Sequence, residues 1–396
     1  MNLLYLAHRI PFPPNKGDKI RSFHQVKYLS RNHRIHLACF VDDPQDINHV
    51  ESLKEYCADV RAVPLGSAAA RLRSVLALAG EMPLSVAYYS SHAMRSHVRS
   101  ILQSVPIDAA LIFSSSMAQF ILEAKGIRKV MDFVDVDSEK WLQYSNRFGF
   151  PKANLYRLEG RRLARYEERV ALSVDLSVFV TEEEKNLFGK RFPGPRLQAI
   201  HNGVDLEYYR AGETACAENG APPKLVFVGA MDYFPNVEAV QYFASEILPA
   251  IRREVPEVEF EIVGRNPASP VQDLKNRDPK IHVRGTVPDV RPFLASATLS
   301  VAPLRIARGV QNKVLEAMAM GVPVVATQEA FEGILATPGR DLVVTTRPEE
   351  FAAETVRLLR DPIARERLGR SGKALIEARY GWEDSIATLE RAIASI

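Results

Sequence analysis

The chain has 396 residues, 46% of them apolar and 25% charged, with a formal net charge of +3. That length suits two domains better than one core, and the composition is that of a globular protein, not a disordered or fibrous one. The charge is too small to argue for nucleic acid, and Cys39, Cys57 and Cys216 form neither a metal pattern nor a disulfide framework. A reducing cytoplasm is therefore the expected home. The N-terminal MNLLYLAHRIPFPP, whose apolar run stops at His8-Arg9, does not read as a signal peptide. No apolar run reaches membrane-spanning length.

In chain order, LLYLA (Leu3 to Ala7), IHLACF (Ile35 to Phe40), ALIF (Ala110 to Phe113), VMDFVD (Val130 to Asp135), LSVFVT (Leu176 to Thr181) and LQAIHN (Leu197 to Asn202) read as short buried strands between helical patterns. The first loop, HRIPFPPNKGDKIRSFHQ, sets Lys16 and Gly17 before an amphipathic helix carrying Ile20, Phe23, Val26 and Leu29. Asp18 is a plausible cap, and a Lys-Gly turn opening a helix can admit a phosphate or an acceptor. No GxGxxG occurs, so a dinucleotide oxidoreductase loses its main support. Arg71 and Arg73 flank an apolar stripe in ARLRSVLALAG (Ala70 to Gly80), which leaves a face toward anionic lipid open. VMDFVDVDSEKW brings Asp132, Asp135 and Asp137 together; Asp135, at the strand's C-terminal end, is the candidate for touching a substrate hydroxyl. Asp137 or Ser138 reads as the cap of the helix carrying Trp141, and Asp-Val-Asp is not taken as a metal motif. RLEGRRLARYEER (Arg157 to Arg169) reads as a solvated helix laced with ion pairs.

AGETACAENGAPP (Ala211 to Pro223) is small, polar and ends in proline, as a linker should. A second series of runs follows: KLVFVG, FEIVG, IHVRG, LSVAPL, PVVAT and LVVTT, from Lys224 to Thr346. Two such series predict an α/β chain of two doubly wound parallel sheets, with ligand loops at the strand C-termini and a cleft between domains. In RGVQNKVLEAMAMGVPVVAT (Arg308 to Thr327), Gly309 and Gly321 bracket a helix of about three turns. Lys313 and Glu316 share one face near its N-terminus, close to Gly309 and Asn312. A phosphate there would meet N–H donors and the Lys313 charge, with a carboxylate one turn on able to grip a sugar hydroxyl. Arg305 and Arg308 lie just before this helix, and Arg265 follows FEIVG on the same face. No HxxxH or HExxH pair exists, so no metal is expected.

With these pieces in place, the chain resembles a family 4 glycosyltransferase of the GT-B fold, two facing Rossmann-like domains. The carriers are KVLEAMAMGVPVVAT, HNGVDLEYY (His201 to Tyr209, with His201 where proline is usual), VTEEEKNLF (Val180 to Phe188) and Tyr380-Gly381-Trp382. HRIPFPPNKGDKIRS, MDYFPN and RIARGVQNKVLEAMA resemble a branch found in exosortase (PEP-CTERM)-associated exopolysaccharide loci. The resemblance implies an acceptor-side domain over 1–205, a linker over 206–223, a nucleotide-sugar domain over 224–378 and a helix over 379–396 crossing back to the first domain.

By position, the resemblance makes Glu316 the ribose-binding carboxylate and Gly309, Val310, Gln311 and Asn312 the loop facing diphosphate and donor sugar. Gly285 to Val287 would line the nucleobase, Gly229 would end the second domain's first strand, and Gly17 would be the first-domain glycine loop. Two positions depart from the family: Arg308 stands where a first Glu is usual, and the usual Arg and Lys after Gly229 are missing, with Ala230 following directly. The expectation is that Lys313, Arg305 and Arg308 meet the diphosphate charge instead, with Asp135, Arg308 and Lys313 as the catalytic set. The implied reaction is retaining, metal-independent transfer from a nucleotide diphosphosugar, of UDP or GDP type, to a saccharide or polyprenyl-diphosphate-linked acceptor. It needs no further cofactor and would take place at the cytoplasmic membrane face, peripheral contact with anionic lipid being left open. A non-catalytic GT-B partner and a sugar-nucleotide epimerase on the same fold remain as alternatives.

Overall fold

A computed structural model describes residues 1–14, 17–210, 221–307 and 309–396. The chain forms two units, Met1–His201 with Ser385–Ile396, and Asn202–Asp384.

The first unit is built on seven parallel strands: β1 (Asn2–Ala7), β2 (Arg34–Val41), β3 (Asp59–Pro64), β4 (Ala109–Phe113), β5 (Arg128–Val134), β6 (Leu176–Phe179) and β7 (Leu197–Ala199). Their order is β3-β2-β1-β4-β5-β6-β7. The strand order reverses between β1 and β4, which opens the crevice where ligands bind in doubly wound sheets. The strands form because they are near-continuous apolar runs: Leu4, Leu6, Ala38, Phe40, Ala110, Ile112 and Met131 are all fully buried in one core. On the flank, Phe133 stacks on Phe179 with ring centroids 5.3 Å apart.

The second unit repeats the plan with six strands: β8 (Lys224–Val228), β9 (Glu259–Val263), β10 (Ile281–Gly285), β11 (Leu299–Ala302), β12 (Val324–Thr327) and β13 (Val343–Thr345). Their order is β10-β9-β8-β11-β12-β13, all parallel, so the reversal falls between β8 and β11. At the end of β9 the backbone passes so close to β8 that a Cβ on Gly264 (φ +155°) would lie 1.6 Å from the Gly229 carbonyl oxygen. Only glycine fits there.

The 206–223 segment opens with a helical turn, Leu206–Arg210, and its residues 211–220, including Cys216, lie outside the described residues. The last helix, Trp382–Ala394, starts in the second unit and continues into the first, where His33 Nε2 lies 2.9 Å from Glu390 and Arg128 donates to the Ile393 carbonyl.

Three local expectations are corrected. Asp18 sits inside the first turn of the Gly17–Leu29 helix rather than before it: its Oδ1 accepts the Lys19 N–H (3.0 Å), while its Oδ2 is taken by His8 and Arg9. Neither Asp137 nor Ser138 caps the Asp137–Ser145 helix, whose N-cap is Val136; two carboxylates from elsewhere serve its first turns instead, Glu184 at Val136 N–H (2.7 Å) and Glu167 at Ser138 N–H (3.1 Å). The helix Lys152–Leu172 is not a solvated, ion-paired rod. Glu159 and Glu167, eight residues apart and thus on one face, turn inward as buried acceptors. Glu159 takes the N–H groups of Leu84 and Ser85 and the Ser85 hydroxyl, holding the start of the Leu84–Tyr88 helix.

Candidate functional site

Strain marks where the sheets present their chemistry. Among the described residues, the non-glycine positive φ angles are at Ser114 (76°), Val134 (67°) and Asn266 (51°). They fall at the C-terminal ends of β4, β5 and β9 respectively. A β-branched residue such as Val134 rarely adopts such a φ, and strain of this kind concentrates at functional sites.

In the second unit, the β8–β11 switch point is occupied by the segment from Arg305 to Glu316. Gly309 has φ 62°, which turns the chain into the helix Asn312–Ala319. That helix runs two turns rather than three. It closes through Gly321 (φ 70°), whose N–H reaches the Met318 carbonyl while the Val322 N–H reaches that of Ala317. Gln311 is its N-cap residue and makes no side-chain cap bond. Lys313 projects back over β8: its Nζ lies 5.5 Å from the Phe227 ring centroid and 3.1 Å from Gln311 Oε1. Burial lowers the Lys313 pKa to about 8, against the pull of Glu316. Burial also raises the Glu316 pKa, opposed by Lys313 and by a hydrogen bond from the Tyr209 hydroxyl. Each group is thus drawn toward its neutral form.

The turn Asn202–Asp205 supports this helix. Asn202 Nδ2 donates to Asn312 Oδ1 (3.2 Å), and Val204 N–H donates to the Tyr380 carbonyl (2.6 Å). A Cβ on Gly203 would sit 2.6 Å from the Trp382 side chain, so the turn packs flat against that ring. From the Leu206–Arg210 turn that follows, Tyr209 reaches Glu316. The NGVD turn and the Tyr-Gly-Trp segment are therefore scaffolding for one carboxylate.

The other donor-side candidates lie around the same strand ends. Gly229 follows β8, packed so that a Cβ would meet Asn236 Nδ2 at 2.7 Å, while Asn236 itself donates to the Ala230 carbonyl. The Asn236 amide thus ties down the loop after Gly229. Arg265 follows β9, where its carbonyl accepts from Met231 N–H. Gly285 (φ 70°) ends β10 and Val287 lies in the loop after it, away from the switch point by two strands. Val310 is buried beside Gly309. Arg305 is paired with Glu238 and stacks 4.1 Å over the Tyr242 ring, so its charge is already met within the unit. Arg308 and Lys16 lie outside the described residues.

In the first unit, the β1–β4 switch point holds a network that sequence reading missed. His8, one residue beyond β1, places Nε2 3.2 Å from Asp18 Oδ2; Arg9 Nη1 donates to the same oxygen at 2.7 Å, and its Nε lies in an ion pair 2.9 Å from Asp42 Oδ2. Burial opposes the Asp18 charge, yet His8 and Arg9 hold its carboxyl well below the usual carboxylate range. The His8 ring stacks on Phe113 at the end of β4 (5.8 Å) and meets Tyr89 edge-on. Its buried Nδ1 has no hydrogen-bond partner among the described residues. The usable signal was position: His8 ends the first strand of a doubly wound sheet, which borders the reversal. Gly17 opens the adjoining helix.

Asp135 follows strained Val134. Burial, with Glu184 and Asp137 nearby, pushes its pKa up to about 7, and its buried Oδ1 has no hydrogen-bond partner among the described residues. Asp132, by contrast, is structural: fully buried, it accepts from Arg21 Nε (2.8 Å) and Gln25 Nε2 (2.7 Å). Glu259, Glu261 and His282 also converge across β9 and β10, a grouping that spacing in the sequence could not show. Arg284 already holds both Glu261 oxygens there.

Two doubly wound parallel sheets of this kind define the GT-B class. Over its whole length the chain is similar to sucrose-phosphate synthase from Thermosynechococcus elongatus (TM-score 0.74, 16% identity, covering 100% of this chain and 99% of that one). It is also similar to Anabaena HepE solved in complex with UDP (TM-score 0.71, 14% identity, 100% of both chains). At such identities the likeness concerns the fold. Residues 222–361, within the second unit, match the family described as Glycosyl transferases group 1. Two curated relatives add to this. The GDP-mannose-dependent monoacylated alpha-(1-6)-phosphatidylinositol monomannoside mannosyltransferase of Corynebacterium glutamicum is 25% identical over 54% of this chain and 61% of its own length. The D-inositol 3-phosphate glycosyltransferase 1 of Catenulispora acidiphila is 31% identical over 49% of this chain and 50% of its own. The matched stretches thus span between half and about three-fifths of those relatives.

Proposed function

We propose that the protein is a retaining, metal-independent glycosyltransferase of family 4. It would move a sugar from a nucleotide diphosphosugar to a saccharide or polyprenyl-diphosphate-linked acceptor in exopolysaccharide synthesis, at the membrane's cytoplasmic face. The observation that carries this reading is the Lys313–Glu316 pair at the β8–β11 reversal, on a helix whose N-cap residue, Gln311, makes no side-chain cap bond. Diphosphate oxygens complement Lys313 and the helix N-terminus; ribose hydroxyls complement Glu316.

In the reaction, the bond from the anomeric carbon to the diphosphate oxygen breaks, and its electron pair goes to that oxygen. Lys313 and the helix N–H groups take up the charge as it builds. The acceptor oxygen forms the new bond and loses its proton. Asp135, held near neutrality by burial, suits the orienting or proton-accepting role, since proton transfer is most effective when the group's pKa lies near the working pH.

The test is thermal stabilisation of the parent and of Glu316→Ala by UDP, GDP and ADP. A nucleotide at a hundred times its dissociation constant stabilises by about 2.7 kcal/mol. Stabilisation of the parent by one nucleotide, absent from the variant, is expected. No stabilisation by any of them would contradict the reading.

A further inference from the structure

We infer that the first unit docks on an anionic membrane surface through an exposed apolar face formed by the helix Ser67–Leu76, its continuation to Met82 and the neighbouring long helix. Leu72 (59% exposed), Val75 (59%) and Leu76 (66%) are spaced three and four residues apart, so they form one stripe, and it points outward. The opposite side of the helix is held to the unit. Ala70 is buried, Ser74 Oγ bonds the Leu84 carbonyl at 2.9 Å, and Arg73 bonds that of Tyr88 at 3.1 Å. Leu78 and Met82 extend the exposed surface. Arg162 of Lys152–Leu172 donates to the carbonyls of Ala77 and Leu78 (2.9 and 3.1 Å), which sets exposed Leu158, one turn before it, beside the same face.

A soluble surface rarely gathers this much exposed aliphatic area without a partner. Its rim says which partner. Arg71, Arg157, Arg161 and Arg165 on the same two helices are exposed, while the long helix's Glu159 and Glu167 are turned inward and buried, leaving exposed Glu81 and half-buried Glu168 as the opposing charges. A second copy of the chain, packed face to face, would set these arginines against one another. An anionic bilayer complements both features: aliphatic side chains enter the headgroup boundary and the arginines meet lipid phosphates. Such docking would keep a lipid-linked acceptor near the first unit, a benefit that rests on the transferase reading. The docking itself does not.

The full chain, without nucleotide, is sedimented with vesicles of phosphatidylcholine alone and with vesicles containing about one-third phosphatidylglycerol. Binding to the anionic vesicles alone is expected, falling as salt screens the arginines. Replacing Leu72, Val75 and Leu76 together by serine should weaken it tenfold or more without lowering Tm, because all three are exposed. Absence of binding to anionic vesicles, or binding that the serine variant leaves unchanged, overturns the proposal. So does a dimer in light scattering that the serine variant dissociates, since a second copy would then cover the face. No donor or acceptor enters the assay, so its failure is distinct from failure of transfer.

Discussion

The two strand-reversal points handle charge in opposite ways. At β1–β4, Asp18 lies against both His8 and Arg9, and Arg9 also reaches Asp42, so the charges are matched within the unit. At β8–β11, Lys313 and Glu316 are both pushed toward neutrality by burial, the lysine over a phenyl ring and the carboxylate met, among the described residues, by the Tyr209 hydroxyl. A self-matched network gains little from an incoming ion and suits a neutral ligand such as a sugar hydroxyl. An under-matched pair gains much from a ligand that brings an anion to the lysine and hydroxyls to the carboxylate.

Mutation should separate the two regions, and the largest effect is expected at Glu316. Hydrogen bonds to a charged group contribute about 1.5–3 kcal/mol, so Glu316→Ala should weaken nucleoside diphosphate binding roughly ten- to a hundredfold, read by calorimetric titration. Equal affinity in the variant would remove the carboxylate from the site. Asp18→Asn is the mirror experiment. It strands Arg9 and His8 and should lower stability by about 1–3 kcal/mol in urea unfolding, while leaving nucleotide affinity intact. Loss of nucleotide binding there would erase the distinction drawn between the two regions.

A smaller effect is expected at Glu167, which lies in the first unit outside both crevices. Burial, the leading cause, raises its pKa to about 8, and its Oε2 has no hydrogen-bond partner among the described residues. The folded form therefore holds a proton that the unfolded chain releases near pH 4.5. The stability this gives is complete below that pH and is lost as pH rises to about 8. Glu167→Gln should flatten the pH dependence of unfolding between those limits and stabilise the protein at pH 8 by about 1–2 kcal/mol. An unchanged slope would place the titration elsewhere.

Much of the fold was legible because parallel strands buried on both faces appear as apolar runs; each of LLYLA, IHLACF, KLVFVG and LSVAPL coincides with a strand to within two residues. The exception is β3, DVRAVP, an edge strand with mixed exposure and no continuous run to find. The candidate donor segment was visible because its glycines, lysine and glutamate are close in sequence. The His8–Asp18 network was not, because its partners meet only after a proline-rich loop folds back. The inward carboxylates of Lys152–Leu172 were hidden for a related reason. Their partners are backbone N–H groups of other helices, and periodicity within one helix says nothing of those.

The most direct test of the donor-site assignment is the pH dependence of nucleoside diphosphate binding by the parent and by Lys313→Met. Burial brings the Lys313 pKa down to about 8, and a bound diphosphate must raise it by favouring the charged form. Binding near pH 8 should then take up a proton, seen as a calorimetric enthalpy that varies with buffer ionisation, and affinity should fall as pH rises above about 8. Lys313→Met should bind more weakly at pH 7, with neither proton uptake nor that fall. If the variant binds as tightly as the parent with the same pH profile, Lys313 does not meet the diphosphate, and the assignment of the β8–β11 crevice to the donor is wrong.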